Sequence, residues 1–427
     1  MLQSARAKRA LLAFYIGLAA GLAAATVRTV LLPTGVVATD FSVFATGWWM
    51  ILHGQGSALY DANSQAAAQT VIMKGAHFEG GLLAFLNPPH AAVAGLPLGW
   101  VVERVGVGTA FVLSIAVNIG LLFVLDRGLK QTLGIRGAAR PLMTAGLLAF
   151  YPVFEVIKLG QVSLLLAVAI LGLYRGVNAS RHVVAAGWLL VLSIKPQLLL
   201  PIAVFLICRG CYRVLVWSAM LALVAVLITS IVLGPSIWLE YVRHIGQLEQ
   251  FFGTGTADYM LNARGSLLRL APGVSPHAIR IAAFALTLAA SGCLATFFWF
   301  SQVHRDEDGR LGYALAVAVA LLFSPHLFVQ DVVIWAVPLS FVAWSAFRAA
   351  PRRLSSTVFI LLAPIVFTLA HFTGSTPASS QSQLSLNLQF AILALATAVT
   401  TREYLASRNS STQMSRHTMP LRHCEEA

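Results

Sequence analysis

The residues able to do chemistry in this chain stand where apolar sequence is interrupted. Asp40, in Thr39-Asp40-Phe41, is a carboxylate just beyond the first apolar run. Partial desolvation at a water–lipid boundary raises the basicity of such a group and suits it to general-base work. The plainer reading is a loop acid or helix N-cap. Lys195-Pro196-Gln197 breaks the apolar stretch 183–206. A lysine there must snorkel, pair with a carboxylate or meet an anion, and the proline frees a carbonyl that only a polar cavity accommodates. Ser324-Pro325-His326 and Gln330-Asp331 form a similar break. Asp331 suits either an ion pair with Lys195 or hydrogen bonds to ligand hydroxyls. His326 near an anion can donate a proton or a charge.

Other polar positions carry weaker signals. Gln161, beside Glu155, Lys158 and Gly160 between two apolar runs, can donate to and accept from a hydroxyl. Asp61, in Leu59-Tyr60-Asp61, reads as a turn residue with a possible binding role, and Asn87-Pro88-Pro89-His90 as a rigid extended entry to a helix. Arg243, His244, Arg264 and Arg269 lie in one later segment, where any could clamp a phosphate. No Gly-rich phosphate loop, no His-Glu-x-x-His and no Asp-x-Asp pair of the kind that carries a metal-bound nucleotide sugar is present, so neither metal nor cofactor is expected. The acidic run 306–308 reads as a solvated turn. Cys208 and Cys211 have redox spacing without a second pair and read as coincidence.

The elements that must position these residues are membrane helices. Hydrophobic residues make up 58% of the 427-residue chain and charged ones 11%, with a mean hydropathy of +0.78, too few polar groups to coat a soluble surface. A cytosolic enzyme, a disordered protein and a disulfide-knit secreted module are thereby excluded. The net charge of +13 fits Lys and Arg enrichment in cytoplasmic loops better than nucleic-acid binding. Apolar runs cover 11–27, 83–102, 106–125, 142–156, 162–174, 183–206, 214–233, 279–300, 311–323, 332–347, 355–371 and 384–400. They predict an all-α polytopic bundle of about 11 to 13 transmembrane helices. Prolines 88, 89 and 97 make the second run a candidate short or re-entrant helix, and Lys195-Pro196 a candidate break in the sixth.

Arg6, Lys8 and Arg9 place the N-terminus in the cytoplasm. Ala23-Ala24-Ala25 resembles a signal-peptidase site, though the many later spans favour a retained helix. Residues 1–400 then form one transmembrane domain with external loops at about 33–82 and 234–277. In the first loop Phe41, Phe44, Trp48, Trp49, Ile51 and Leu52 predict an amphipathic helix in the membrane interface. Residues 401–427 read as a disordered cytoplasmic tail.

Taken together the motifs have a familiar order. Asp40-Phe41, the Gly54 to Asp61 stretch, Asn87-Pro88-Pro89, Leu96-Pro97-Leu98-Gly99, Leu159-Gly160-Gln161, Lys195-Pro196-Gln197, Ser324-Pro325-His326 and Gln330-Asp331 resemble glycosyltransferase family 87. These are polyprenyl-phosphate-mannose-dependent mannosyltransferase-like membrane proteins of the GT-C architecture. The chain departs from the pattern at Asn87, often an aromatic, and at Ser163, often an asparagine. The resemblance implies a lipid-linked sugar donor and a bacterial inner-membrane location with the site facing the periplasm. It implies transfer of a hexose such as mannose to an envelope lipid or glycan, with Asp40 as the catalytic base and inversion at the sugar carbon. Donor or acceptor contacts are expected from Asp61, Asn87, Gln161, Lys195, Gln197, His326, Gln330 and Asp331, and phosphate contacts from Lys195, Arg264 and Arg269. The membrane lipids, the donor and the acceptor are then the partners, with no nucleic acid. Two other readings remain open: a transporter or flippase of a lipid-linked saccharide, though no internal repeat is visible, and an envelope polysaccharide polymerase or ligase, in which the later loop would matter more than Asp40.

Overall fold

The computed structural model describes residues 5–31, 40–73, 82–137, 139–252, 259–301, 303, 309–348 and 380–417, and all regular structure among them is helical. The first half comprises α1 (Ala5–Leu31), α2 (Asp40–Leu52), α3 (Ala62–Ile72), α4 (Pro89–Ala94), α5 (Leu96–Leu133), α6 (Ala139–Leu148), α7 (Tyr151–Leu159), α8 (Ser163–Asn178) and α9 (His182–Leu192). The second half comprises α10 (Leu199–Cys208), α11 (Tyr212–Leu233), α12 (Ile237–Phe252), α13 (Ala263–Leu270), α14 (Pro276–Phe300), α15 (Arg310–Leu322), α16 (Ala336–Arg348) and α17 (Ser380–His417). Short 3-10 turns at Pro196–Leu198 and Val329–Trp335 lead into α10 and α16.

The chain is an all-α polytopic membrane protein. Among the described residues α5, α11, α14 and the segment Arg9–Arg28 of α1 are each long and apolar enough to cross a bilayer. The bent pair α6–α7, at 51°, would add a fifth as one broken span. Helices α8, α9 and α15 and the segments Pro196–Cys208 and Val329–Ser345 are apolar but shorter. Helix α11 leaves Val216, Leu223, Leu227 and Ile231 uncovered, as expected for a helix whose solvent is lipid.

Several sequence expectations change here. The run 83–102 is not a helix of its own: its first residues are non-helical, Pro88-Pro89 start the short α4, and α5 carries the rest into the next run. Helix α5 continues to Leu133, kinked only at Gly106 (φ 79°, ψ 159°). The run 183–206 divides at Lys195-Pro196 into α9 and α10. Helix α17 continues past 400 into the stretch expected to be disordered. Its Tyr404 is fully buried against Phe297 and Phe298 of α14, with ring centroids 5.4 and 6.2 Å away, and its hydroxyl is 2.9 Å from Ser301 Oγ. That anchorage holds the helix where composition alone suggested none. The expected span 355–371, the acidic run 306–308, residues 33–39 and the chain beyond 417 lie outside the described residues.

The buried side chains form two main cores. The larger is built mainly from α5, α7–α10, α15, α16 and the Val329–Trp335 turn. The smaller gathers Phe41, Phe44 and Trp48 of α2 with Tyr60, Phe85, Phe111, Leu233 and Ile237. Helix α2 is therefore not a strip lying in the interface. It is buried on nearly every side, Phe41 through Trp48 without exception. Trp48 occupies the room left by Gly95 and Gly99 of the Leu-Pro-Leu-Gly motif; a Cβ at Gly99 would stand 2.6 Å from Trp48 Cβ.

The non-helical segment before α4 has backbone groups that need partners inside this core. Two glutamines one turn apart on α3 supply them. Gln65 Oε1 accepts from Phe85 N at 2.7 Å while its Nε2 donates to Leu59 O at 2.8 Å. Gln69 Nε2 donates to Leu83 O at 2.5 Å. The Tyr60 hydroxyl donates to Asn87 O at 2.7 Å, fixing the start of the double proline. The Gln65→Leu variant leaves Leu59 O and Phe85 N unsatisfied. It should lose about 3 kcal/mol of stability, read as a lower melting temperature of the detergent-purified protein; an unchanged melt would refute this role.

Candidate active site

Three interrupted helices meet at one place, each break contributing polar groups. The first is between α7 and α8. Gly160 adopts the left-handed conformation (φ 66°, ψ 32°) at the end of α7. Its N–H donates to Ile157 O at 3.3 Å and that of Gln161 to Val156 O at 3.0 Å, a Schellman closure. The conformation suits glycine, and so does the space: a Cβ at Gly160 would lie 2.7 Å from Phe41 Cβ and 3.1 Å from the Phe111 ring. This close approach sets Gln161 against the start of α2.

Asp40 is the first residue of α2 and is partly buried. Gln161 Nε2 donates to its Oδ2 at 2.6 Å, and Gln330 Nε2, from the Val329–Trp335 turn, donates to the same oxygen at 3.3 Å. Oδ1 has no protein donor among the described residues. Burial raises the Asp40 pKa above its ordinary value, opposed by the Gln161 hydrogen bond and by the Lys195 charge, and reinforced by Asp331 and Glu155. The carboxylate is thus held in one orientation by two amides and made more basic by its surroundings.

The second set of contacts is fully buried and lies beside the first in sequence. Ser163, two residues after Gln161, donates to Asp331 Oδ1 at 2.6 Å, and Lys195 pairs with the same oxygen. Asp331 is 1% exposed and Lys195 9%, so the ammonium charge is already matched within the protein. Asp331 also closes its own turn: its N–H donates to Phe328 O at 2.9 Å, and Phe328 N approaches its Oδ2 at 3.5 Å. The break at Ser193 is tied in through His90, whose Nε2 is 2.9 Å from Ser193 Oγ and whose ring stacks on Trp238 at 6.1 Å.

The Ser324-Pro325-His326 turn is held from the later segment. Asn262 Nδ2 donates to Ser324 O at 2.7 Å while its Oδ1 accepts from Gly265 N, capping α13, and Leu261 N donates to Leu327 O at 2.8 Å. Ser324 Oγ accepts from His326 N at 3.2 Å and donates to His326 O at 2.8 Å. Burial, with the charges of Lys195 and Arg264, pushes the His326 pKa down to about 4 against a smaller opposing effect of Asp331. Its imidazole is therefore neutral at physiological pH, able to donate one hydrogen bond but not a charge.

The candidates fall into two groups. Asp40, Gln161, Gln330, Lys195 and Asp331 converge, with His326 and Arg264 in their electrostatic reach. Asp61 is exposed and N-caps α3, accepting from Ser64 N at 2.8 Å and Ser64 Oγ at 2.7 Å. Arg269 is buried and ties α13 to α17, donating to Asn387 Oδ1 at 2.8 Å and Met260 O at 2.9 Å. Asn87 is partly exposed and lends its backbone carbonyl to Tyr60. Gln197 is partly exposed in the turn before α10. Ser163, Tyr60, Gln65, Gln69 and Asn262 were not expected as organising residues. Asn262, three residues before Gly265 at a helix start, is the one with a recognisable cap signal.

Two outcomes follow from this geometry. Gly160→Ala forces a strained φ and an overlap with Phe41, so its melting temperature should fall by the equivalent of about 2–4 kcal/mol. Because folding raises the Asp40 pKa, its ionisation opposes folding, a cost absent below the unfolded pKa and fully present above the folded one. Asp40→Asn should therefore melt no lower than the parent at pH 7, with any gain vanishing as pH falls through the carboxylate range. A clearly destabilised Asp40→Asn would show the carboxylate to be structural.

A family model for glycosyltransferase family 87 matches residues 85–325, more than half of the chain. The matched region holds Asn87, Gln161, Lys195 and Ser324-Pro325 and stops short of Asp40 on one side and Gln330-Asp331 on the other. No curated protein and no solved structure matches the chain.

Proposed function

Since the chain belongs to glycosyltransferase family 87, and is therefore a membrane glycosyltransferase, we propose that it moves a hexose, mannose by the family's example, from a polyprenyl-phosphate carrier to an envelope lipid or glycan. In this reading the bundle has the GT-C architecture, lies in a bacterial inner membrane, and opens its site to the periplasm. The observation that carries it is the Asp40 carboxylate, with Oδ2 fixed by Gln161 and Gln330 and Oδ1 without a donor among the described residues. That is the form of a general base awaiting an acceptor hydroxyl.

The reaction needs little else. The acceptor hydroxyl gives its proton to Asp40 as its oxygen attacks the anomeric carbon. The bond from that carbon to the phosphate oxygen breaks on the opposite face, and the electron pair leaves with the polyprenyl phosphate. Inversion is the stereochemical result. A phosphate monoester anion leaves without a general acid, so charge stabilisation suffices. Arg264, whose charge is felt at His326, and the neutral His326 are the groups we assign to the departing phosphate. Asn87 and Gln197, both partly exposed, are assigned to sugar or acceptor hydroxyls. A carrier dissolved in the bilayer supplies the reason for building such an enzyme among apolar helices.

Purified protein in lipid, given radiolabelled polyprenyl-phosphate mannose and an envelope lipid extract, tests the reading. Asp40→Asn should lower turnover by about 100-fold or more while eluting and melting as a folded protein; unchanged turnover would reject Asp40 as the base. In the parent, activity needs the ionised carboxylate and should fall as pH drops through the Asp40 pKa, an acid limb lying above its ordinary value of 3.8.

A further inference from the structure

We infer that the buried Lys195–Asp331 pair is a positioning device for Asp40, acting through Gln330 and through its paired charges, rather than a set of ligand contacts. The inference rests on Asp40 being the base. Two cross-links run side by side: Gln161–Asp40–Gln330 and Ser163–Asp331–Lys195. Gln330 and Asp331 are consecutive, and Gln161 and Ser163 flank a single residue. Whatever holds Asp331 in place therefore aims Gln330 at Asp40 Oδ2. Asp331 is held by Ser163, by Lys195 and by its own turn.

The pairing also bears on which groups can meet substrate. Lys195 and Asp331 are each at most 9% exposed. A phosphate clamp at Lys195 would have to reach an ammonium that is almost enclosed and whose charge is already matched by Asp331. Paired, the two charges pull Asp40 in opposite directions. Lys195 favours its ionised form and Asp331 opposes it. Glu155 of α7 is the remaining charged group acting on Asp40, and it is itself engaged by Lys158 at 2.7 Å and by the Tyr151 hydroxyl at 2.5 Å.

Removing one member of the pair should therefore move the acid limb of transfer in a direction set by the charge left behind. Asp331→Asn leaves Lys195 uncompensated and should shift the limb to lower pH by about half a unit or more. Lys195→Met leaves Asp331 uncompensated and should shift it to higher pH by a similar amount. The Lys195→Met/Asp331→Leu double variant strands no charge, which keeps the test open if a single variant fails to fold. Its limb should lie between those of the two single variants, with the KM for polyprenyl-phosphate mannose within about twofold of the parent value, well under one tenfold step in binding. Shifts of one sign in both singles, or no shift, would overturn the inference, as would a tenfold rise in the double variant's KM, which is the mark of a lost donor contact. Full activity of Asp40→Asn would instead remove the base assignment, so the two failures are separable.

Discussion

The organisation of this protein depends on how charged and polar groups are satisfied at the centre of an apolar bundle. A carboxylate or ammonium without a partner in such surroundings is costly by several kcal/mol. Here Ser163, Lys195 and Asp331 sit at the ends of broken helices, where freed backbone and side-chain donors are at hand. Ser163 starts α8, Lys195 ends the turn after α9, and Asp331 lies in the 3-10 turn before α16. Ser163 and Lys195 both meet Asp331, and this shared oxygen brings three distant stretches of chain together beside the start of α2.

Asp40 has a different environment from its charged neighbours. Asp331 is sealed and matched by a cation, whereas Asp40 is only partly buried, receives neutral amide donors and keeps one oxygen without a partner among the described residues. Two carboxylates on the same cluster are in this way assigned opposite characters, one inert and one basic. The difference comes from which donors reach them, not from their residue type.

Much of this was legible in the sequence, for a physical reason. Charges inside apolar runs are so unfavourable that Lys195 and Asp331 announce themselves, and their mutual pairing was among the options open to them. The Gly160-Gln161 break and the fold class were readable on the same grounds. What could not be read was which polar groups would serve the backbone. Gln65 and Gln69 look like ordinary surface residues of a small-residue helix, yet both are buried, because the segment they hold lacks a helix's own hydrogen bonds. The division into spans was misread for a related reason. Hydropathy cannot distinguish a buried non-helical segment from a helix, so residues before α4 were counted as part of a span, and α2 as lying on a surface that it in fact fills.

The long α5 joins the two cores in a single element. Gly99, Val102 and Phe111 belong with α2 and its neighbours, whereas Leu122, Leu125, Leu129 and Leu133 are built into the larger bundle. Its one backbone irregularity, at Gly106, faces open space on the side where a Cβ would stand. The layer around α2 is thus joined to the bundle both by this continuous helix and by the contacts of Asp40 and Phe41 with the α7–α8 break. A change of bend at Gly106 would therefore act at a distance, tilting the layer that carries Asp40 against the bundle that carries Gln161 and Gln330.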